Sequence, residues 1–259
     1  MDNYIVDVVS PSMGRAGKTI VQELIANVKF VVPQKEVDDY KEHLPNNEVH
    51  GCPDSIKGIT ATRQWMLDKW SNIFMVDDDI YQVRRQFAES QKAETNIKDP
   101  QFSWELIQNL ASITKQSGGF HFGFSNAREP VQYESGKPIV HTKYINNSFM
   151  GFLEGHGLKY DLSFDEAEDY YICCMNIFKN RFSVLDQRYV FKTKQNFTSD
   201  GGCALYRTQE SMIRNTERLK ALFGTDVVHD KGQSKLKKNV NKGERILIFP
   251  SLLAVELKQ

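Results

Sequence analysis

Ile73-Phe74-Met75-Val76-Asp77-Asp78-Asp79 joins an apolar run to three consecutive carboxylates. Four consecutive apolar residues read as a buried strand. That strand delivers three carboxylates to its C-terminal end, where open α/β sheets bind their ligands. Three adjacent carboxylates repel one another and persist most naturally where a cation neutralises them. Mg2+ and Mn2+ take oxygen ligands and commonly bridge protein carboxylates to substrate phosphates. In a strand-end turn, Asp77 and Asp79 are placed to face one ion, leaving Asp78 to meet a ribose or a neighbouring amide. The plainer alternative is a helix N-cap with a solvated acidic turn. The apolar run before the cluster argues against it by fixing the cluster at a sheet edge.

Working outward, residues 4–9 form a β-branched strand bounded by Ser10-Pro11, and residues 12–18 a glycine-containing turn. Residues 19–26 have helical spacing, 29–32 are a strand stopped by Pro33, and 35–43 and 59–70 are helices. Strands alternating with helices predict a parallel sheet covered on its faces. Farther on, helices are expected over 104–115, 165–180 and 210–223. Strands are expected over 120–125, 147–153, 182–191 and 245–249, with loops over 91–100, 128–138 and 230–243. No internal repeat or interdomain linker is seen, so a single domain over 1–259 is expected, with a donor-binding half over about 1–115 and an acceptor half over about 116–259.

The 259 residues are 40% hydrophobic and 25% charged, which suits a globular α/β domain. Lys plus Arg and Asp plus Glu are 33 each, so bulk charge gives no argument for nucleic acid, although a local basic groove is still compatible. Cys52, Cys173, Cys174 and Cys203 have no CxxC or metal spacing and read as reduced, packed thiols. No signal peptide opens the sequence and no apolar run approaches the ~20 residues of a membrane span. The expectation is a soluble cytoplasmic protein with no membrane partner.

A competing phosphate motif is Gly14-Arg15-Ala16-Gly17-Lys18-Thr19. A P-loop needs G-x-x-x-x-G-K-[ST] after a strand. Here the first glycine position holds Ser12, and Ser10-Pro11 favours an extended exit. The alternative of an NTPase or kinase using Gly17-Lys18-Thr19 stays open. So do a nucleotidyltransferase, which also sets carboxylates and Mg2+ at a sheet edge, and a binding module without turnover.

Four segments, in order, carry a resemblance. Residues 8–18 resemble the opening strand and donor loop of GT-A glycosyltransferases of bacteriophages, and Ile59-Thr60-Ala61-Thr62-Arg63-Gln64-Trp65 resembles their donor-side helix. Phe74-Met75-Val76-Asp77-Asp78-Asp79 is similar to their DxD motif, and Phe164-Asp165-Glu166-Ala167-Glu168-Asp169 to the Glu-Asp motif opening a later helix. Together they resemble the TET-associated glycosyltransferases, thought to modify oxidised pyrimidines in phage DNA.

The resemblance implies a Rossmann-like GT-A fold, a mixed central sheet flanked by helices, and a nucleotide-sugar donor, in the first place a UDP-sugar. The acceptor it implies is a hydroxyl, for instance a hydroxymethylated pyrimidine in DNA. It places Pro11, Ser12, Gly14 and Arg15 around the nucleotide, with Asp78 also on the donor. Arg63 would reach the ribose or diphosphate, since a guanidinium fork suits phosphate oxygens. Asp77 and Asp79 would hold Mn2+ or Mg2+, with His229, after Val227-Val228, as third ligand. Asp169 is expected as general base, with Glu168 second. The plain alternative for that pair is an acidic first turn complementing a helix dipole.

Lys231, Lys235, Lys237 and Lys238 form a basic loop placed to close over the diphosphate, unless it is a solvated charge run. Gly201-Gly202 would let backbone approach the sugar, or form an ordinary turn. His121 alternates with Phe120, Phe122 and Phe124 and reads as core, as do Phe149-Met150-Gly151-Phe152.

Overall fold

The structure is a computed structural model that describes residues 5–87, 94–125, 133–193, 208–230 and 245–247. Chain order begins β1 (Asp7–Pro11), α1 (Val21–Leu24), β2 (Val28–Pro33), a 3-10 turn (Gln34–Glu36), α2 (Val37–His43), β3 (Val49–Cys52), α3 (Ile59–Lys69) and β4 (Ile73–Val76). It continues with β5 (Ile80–Arg85), β6 (Asn96–Ile97), α4 (Pro100–Gln116), β7 (His121–Ser125), β8 (Ile139–Val140) and β9 (Phe149–Phe152). It closes with α5 (Glu168–Asn180), β10 (Val184–Thr193), α6 (Gln209–Phe223), β11 (Val228–Asp230) and β12 (Arg245–Leu247).

One sheet has the order β3-β2-β1-β4-β9-β7-β10-β5-β6, with β8 added onto β10, and β11 and β12 pair separately. β1, β2, β3 and β4 run parallel. β9 is antiparallel to both β4 and β7, and β10 resumes the parallel sense beside β7. The sheet is therefore mixed and flanked by helices, as the sequence led one to expect.

Successive strand residues point to opposite faces, and the two cores divide accordingly. Val8, Phe30, Val32, Phe74, Val76, Phe122 and Phe124 pack on one face beside residues of α1, α2 and α4. Val9, Val31, Ile73, Met75, Met150 and Phe152 pack on the other beside residues of α3 and α5. Phe149 to Phe152 and the strand that begins at His121 are thus core, as expected. Gly151 has a specific reason: a Cβ there would lie 2.2 Å from the Phe122 ring.

Several boundaries move for local reasons. α4 begins at Pro100, four residues before the expected start, because the Asp99 side chain accepts the Gln101 N–H at 2.9 Å and proline occupies the first turn. α1 has only four residues. β3, β5, β6 and β8 were not foreseen. β5 holds buried Ile80 and Val83, three residues apart, among polar neighbours and pairs antiparallel with β10 across a register shift. Among the described residues no helix is long and apolar enough to cross a membrane.

Candidate functional site

β1 and β4 are parallel neighbours, so their C-terminal ends bring Ser12 and the aspartate run to the same sheet edge. The three aspartates meet different environments there. Asp78 is buried at 7% exposure and accepts from Ser12 Oγ at 2.5 Å and from Arg15 Nη1 at 2.5 Å. Because the Ser12 proton goes to Asp78, Tyr40 is the donor in its 2.6 Å bond with Ser12 Oγ. The Tyr40 oxygen in turn accepts the Arg15 N–H at 3.0 Å. Burial pushes the Asp78 carboxyl up, and the Ser12 and Arg15 contacts oppose the shift.

Asp77 sits between a hydroxyl and a cation. Ser148 Oγ donates to its Oδ2 at 2.7 Å and Arg63 Nη2 to its Oδ1 at 2.6 Å. Asp79 is the exception: its Oδ1 is buried and accepts no hydrogen bond. Burial, and then the negative charges of Asp77 and Asp78, push the Asp79 carboxyl up to about 7. A buried acceptor with no donor, beside two other carboxylates, is a place that a hard cation satisfies better than a proton does.

The expected metal trio does not assemble. Among the described residues no group of three or more His, Cys, Asp and Glu side chains could hold an ion. His229 lies on β11 in the small separate sheet, and its Nε2 is 3.0 Å from the Asp226 carbonyl. Among the described residues the sheet edge thus offers the aspartate run without His229. That fits Mg2+ or Mn2+, which keep waters and take further ligands from substrate phosphates.

On the opposite side, residues 164–169 lead into α5 through Ala167, whose φ of 67° is left-handed, a conformation uncommon for a non-glycine residue. Each carboxylate of this run has a protein partner. Asp165 accepts from Arg214 Nη2 and Asn215 Nδ2, both at 2.6 Å. Glu166 accepts from Ser211 Oγ at 2.6 Å. Glu168, buried, accepts from Arg63 Nη1 at 3.0 Å and Asn147 Nδ2 at 2.9 Å, and its carboxyl is pushed up by burial against the pull of Arg63. Asp169 accepts from the Tyr144 hydroxyl and from the Tyr170 N–H, the latter at 2.9 Å, and is only partly buried.

Arg63 departs from its expected role. It lies on the buried stripe of α3 with Thr60 and Leu67, is 4% exposed, and directs both ends of its fork at protein carboxylates. It faces inward rather than lining an open donor pocket. Pro11 and Ser12 are buried at the end of β1, while Gly14 and Arg15 are more open. Gly14, at φ 66°, donates its N–H to Glu36 Oε2 at 2.7 Å.

That last bond weighs against a P-loop. Walker-type loops leave their amides open to phosphate, whereas here Gly14 N–H meets a carboxylate, Arg15 N–H meets Tyr40 and Lys18 N–H meets the Arg15 carbonyl. Lys231 and its basic loop, with Gly201, Gly202 and Cys203, lie outside the described residues. Cys52, Cys173 and Cys174 are free and buried, and His121 is core at 1% exposure. The sequence reading missed Tyr40, Tyr144, Asn147, Ser148 and Tyr160. None stands in a motif, and each meets its carboxylate or amide partner from a distant part of the chain.

The mixed sheet flanked by helices is a GT-A-like glycosyltransferase fold. The chain belongs to the TET-associated glycosyltransferase family, whose model matches residues 6–202. Among solved structures it is similar to S. aureus TarS 1-349 in complex with UDP-GlcNAc, with TM-score 0.52, 11% identity, and coverage of 84% of this chain and 67% of that one. The same fragment in complex with UDP matches with TM-score 0.48, 12% identity, and coverage of 84% and 64%. The chain thus spans about two thirds of the length of those TarS structures. At such identities the likeness concerns the fold. A search of curated proteins gives no match.

Proposed function

We propose that this protein is a metal-dependent glycosyltransferase that moves a sugar from a UDP-sugar to a hydroxyl acceptor, with a hydroxymethylated pyrimidine in DNA as the first acceptor to test. The observation that carries this reading is the unpartnered, buried Oδ1 of Asp79 at the end of β4, beside Asp77 and Asp78. Family membership supports sugar transfer, and the structural neighbour complexed with UDP-GlcNAc supports the donor class. The DNA acceptor is supported by the family's description alone.

In this reading Asp79 holds the divalent ion with Asp77, whose two oxygens each keep a lone pair beyond the bonds from Arg63 and Ser148. Held by these carboxylates, a Mn2+ or Mg2+ ion would offset the charge that builds on the diphosphate leaving group. The Ser12 to Arg15 loop, braced by Asp78 and Tyr40, contacts the nucleotide. Asp169 accepts the proton of the attacking hydroxyl as that oxygen bonds to the anomeric carbon. The bond from that carbon to the phosphate oxygen breaks at the same time, and its electron pair leaves with UDP. Tyr144 suits the support of Asp169, because burial and the nearby Asp169 charge push its phenol well above the ordinary value, so it stays a donor. Glu168, enclosed by Arg63 and Asn147, is an anchor rather than a base.

Incubation with Mn2+, UDP-GlcNAc and an oligonucleotide carrying 5-hydroxymethylcytosine tests the proposal by mass spectrometry. One added N-acetylhexosamine mass on the modified strand, absent from the unmodified strand, is the expected result. A panel of UDP-sugars that gives neither UDP release nor a donor-dependent thermal shift contradicts the donor assignment.

A further inference from the structure

A closed ring of polar side chains joins the two sides of the site. Arg63 Nη2 donates to Asp77 Oδ1 at 2.6 Å, and Ser148 Oγ donates to Asp77 Oδ2 at 2.7 Å. The next residue back, Asn147, donates to Glu168 Oε1 at 2.9 Å, and Arg63 Nη1 reaches the same oxygen at 3.0 Å. Tyr160 pins Asn147 from outside, donating to its Oδ1 at 3.1 Å. The main chain repeats the connection, since Asp77 N–H donates to the Ser148 carbonyl at 3.0 Å. α3, the end of β4, the approach to β9 and the first turn of α5 thereby meet at one guanidinium.

Stability is a poor reason for such an arrangement. Buried ion pairs are often no more stabilising than apolar residues of similar volume, because desolvation offsets the attraction. Arg63 has Thr60 and Leu67 as its neighbours on the buried stripe of α3, a position where an apolar side chain would serve packing as well. What an apolar residue cannot do is fix two carboxylates at one spacing. The guanidinium is a rigid planar fork, and a lysine ammonium serves one acceptor at a time without setting the distance to the second.

We infer that Arg63 is a positioning residue: through the ring it sets α5, and with it Asp169, relative to the aspartate run. The inference rests on the glycosyltransferase reading for its catalytic meaning. It gives Arg63 no direct contact with the donor, unlike the role the sequence suggested. The functional demand is strict, since a misplacement of about 1 Å can reduce turnover by roughly 100-fold.

A double-mutant cycle on the full chain tests it, with R63K, E168Q and the pair. Two quantities are read: UDP release from UDP-GlcNAc with Mn2+, resolved into kcat and KM, and amide hydrogen exchange across residues 146–149 and 166–172. Each single change is expected to lower kcat by about 30- to 100-fold with KM within about 3-fold, and the pair to be no worse than the poorer single. Exchange in both segments should speed up by about 10-fold in each single and no further in the pair. Should R63K not fold, S148A and E168Q carry the same cycle, because Ser148 and Glu168 communicate through the ring.

Losses that multiply, an E168Q enzyme with wild-type kcat, or an R63K enzyme whose KM rises with kcat intact would each overturn the inference. The last result would instead make Arg63 a donor contact. If the wild type releases UDP from no UDP-sugar of the panel, the donor reading fails by itself, and the exchange arm still decides the ring: independent or absent exchange effects refute it.

Discussion

The acidic run at 77–79 and the acidic run at 165–169 look alike as sequence and differ as structure. In the second, Asp165, Glu166, Glu168 and Asp169 each have a protein donor, drawn from α6, α3 and the segments around Tyr144 and Asn147. In the first, Asp77 and Asp78 are provided for, but Asp79 keeps a buried oxygen without a partner and a carboxyl pushed up to about 7. A finished run is a device for holding elements together, and an unfinished one awaits a ligand. Unlike the buried Glu166 and Glu168, Asp169 is partly exposed, which suits it for contact with an acceptor.

The largest expected effect separates the two runs. Asp79→Asn should reduce metal-dependent sugar transfer by at least about 100-fold. The far-ultraviolet dichroism should be unchanged, because no hydrogen bond is lost at Oδ1. Turnover by this variant within about 3-fold of wild type would break the comparison.

Next is Asp169→Asn, which should lower kcat by roughly 10²- to 10⁴-fold, the usual worth of a general base. Donor KM should hardly change, since the proposed role of Asp169 is toward the acceptor hydroxyl. A retained kcat would identify a mechanism that needs no base, and would reduce the second run to structure alone.

A smaller effect concerns a buried group belonging to neither run. His121 is 1% exposed, both ring nitrogens lack partners, and burial, with the nearby His156, holds it down at about 3. Its folded value lies below the unfolded value near 6.5. The unfolded chain therefore binds the extra proton, and stability is full above pH 6.5 and falls as pH drops toward 3. Between pH 7 and pH 5 the loss from this group is about 2 kcal/mol. Urea unfolding of His121→Leu at the two pH values should show that much less acid sensitivity than wild type, and an equal drop in both proteins would refute the assignment.

Smallest of all, Asp165→Asn should change stability by no more than about 1 kcal/mol in a thermal melt, because its ion pair with Arg214 lies at the surface. A larger loss would mean that the α5–α6 seam depends on this pair more than its exposure suggests.

Much of this was legible in the sequence where one residue type has one strong physical meaning. The apolar run 73–76 is β4 and the aspartates do stand at its end. Val8, Phe30 and Phe74 alternate with Val9, Val31 and Met75 as a two-faced sheet requires. β3 escaped because Val49-His50-Gly51-Cys52 has little apolar character and lies at the sheet edge. β5 escaped because its two buried residues, Ile80 and Val83, stand three apart among polar neighbours and its pairing partner, β10, is about a hundred residues away. The inward course of Arg63 did leave a trace, since it occupies a buried position of the helical stripe at residues 60, 63 and 67. Its partners Asp77 and Glu168 come together only in three dimensions, and no spacing in the chain announces that. The expectation for His229 followed chain order, which does not report that β11 belongs to a separate small sheet.

In the proposed mechanism a divalent cation completes the aspartate run, chiefly through Asp79. Isothermal titration of the nucleotide-free protein with Mn2+ at pH 7.5 tests it most directly, comparing wild type with Asp79→Asn and with Asp165→Asn. The account predicts one saturable site in the wild type and in Asp165→Asn, accompanied by proton release, and no site in Asp79→Asn. Equal Mn2+ binding by all three proteins, or none by the wild type even with UDP present, would contradict it.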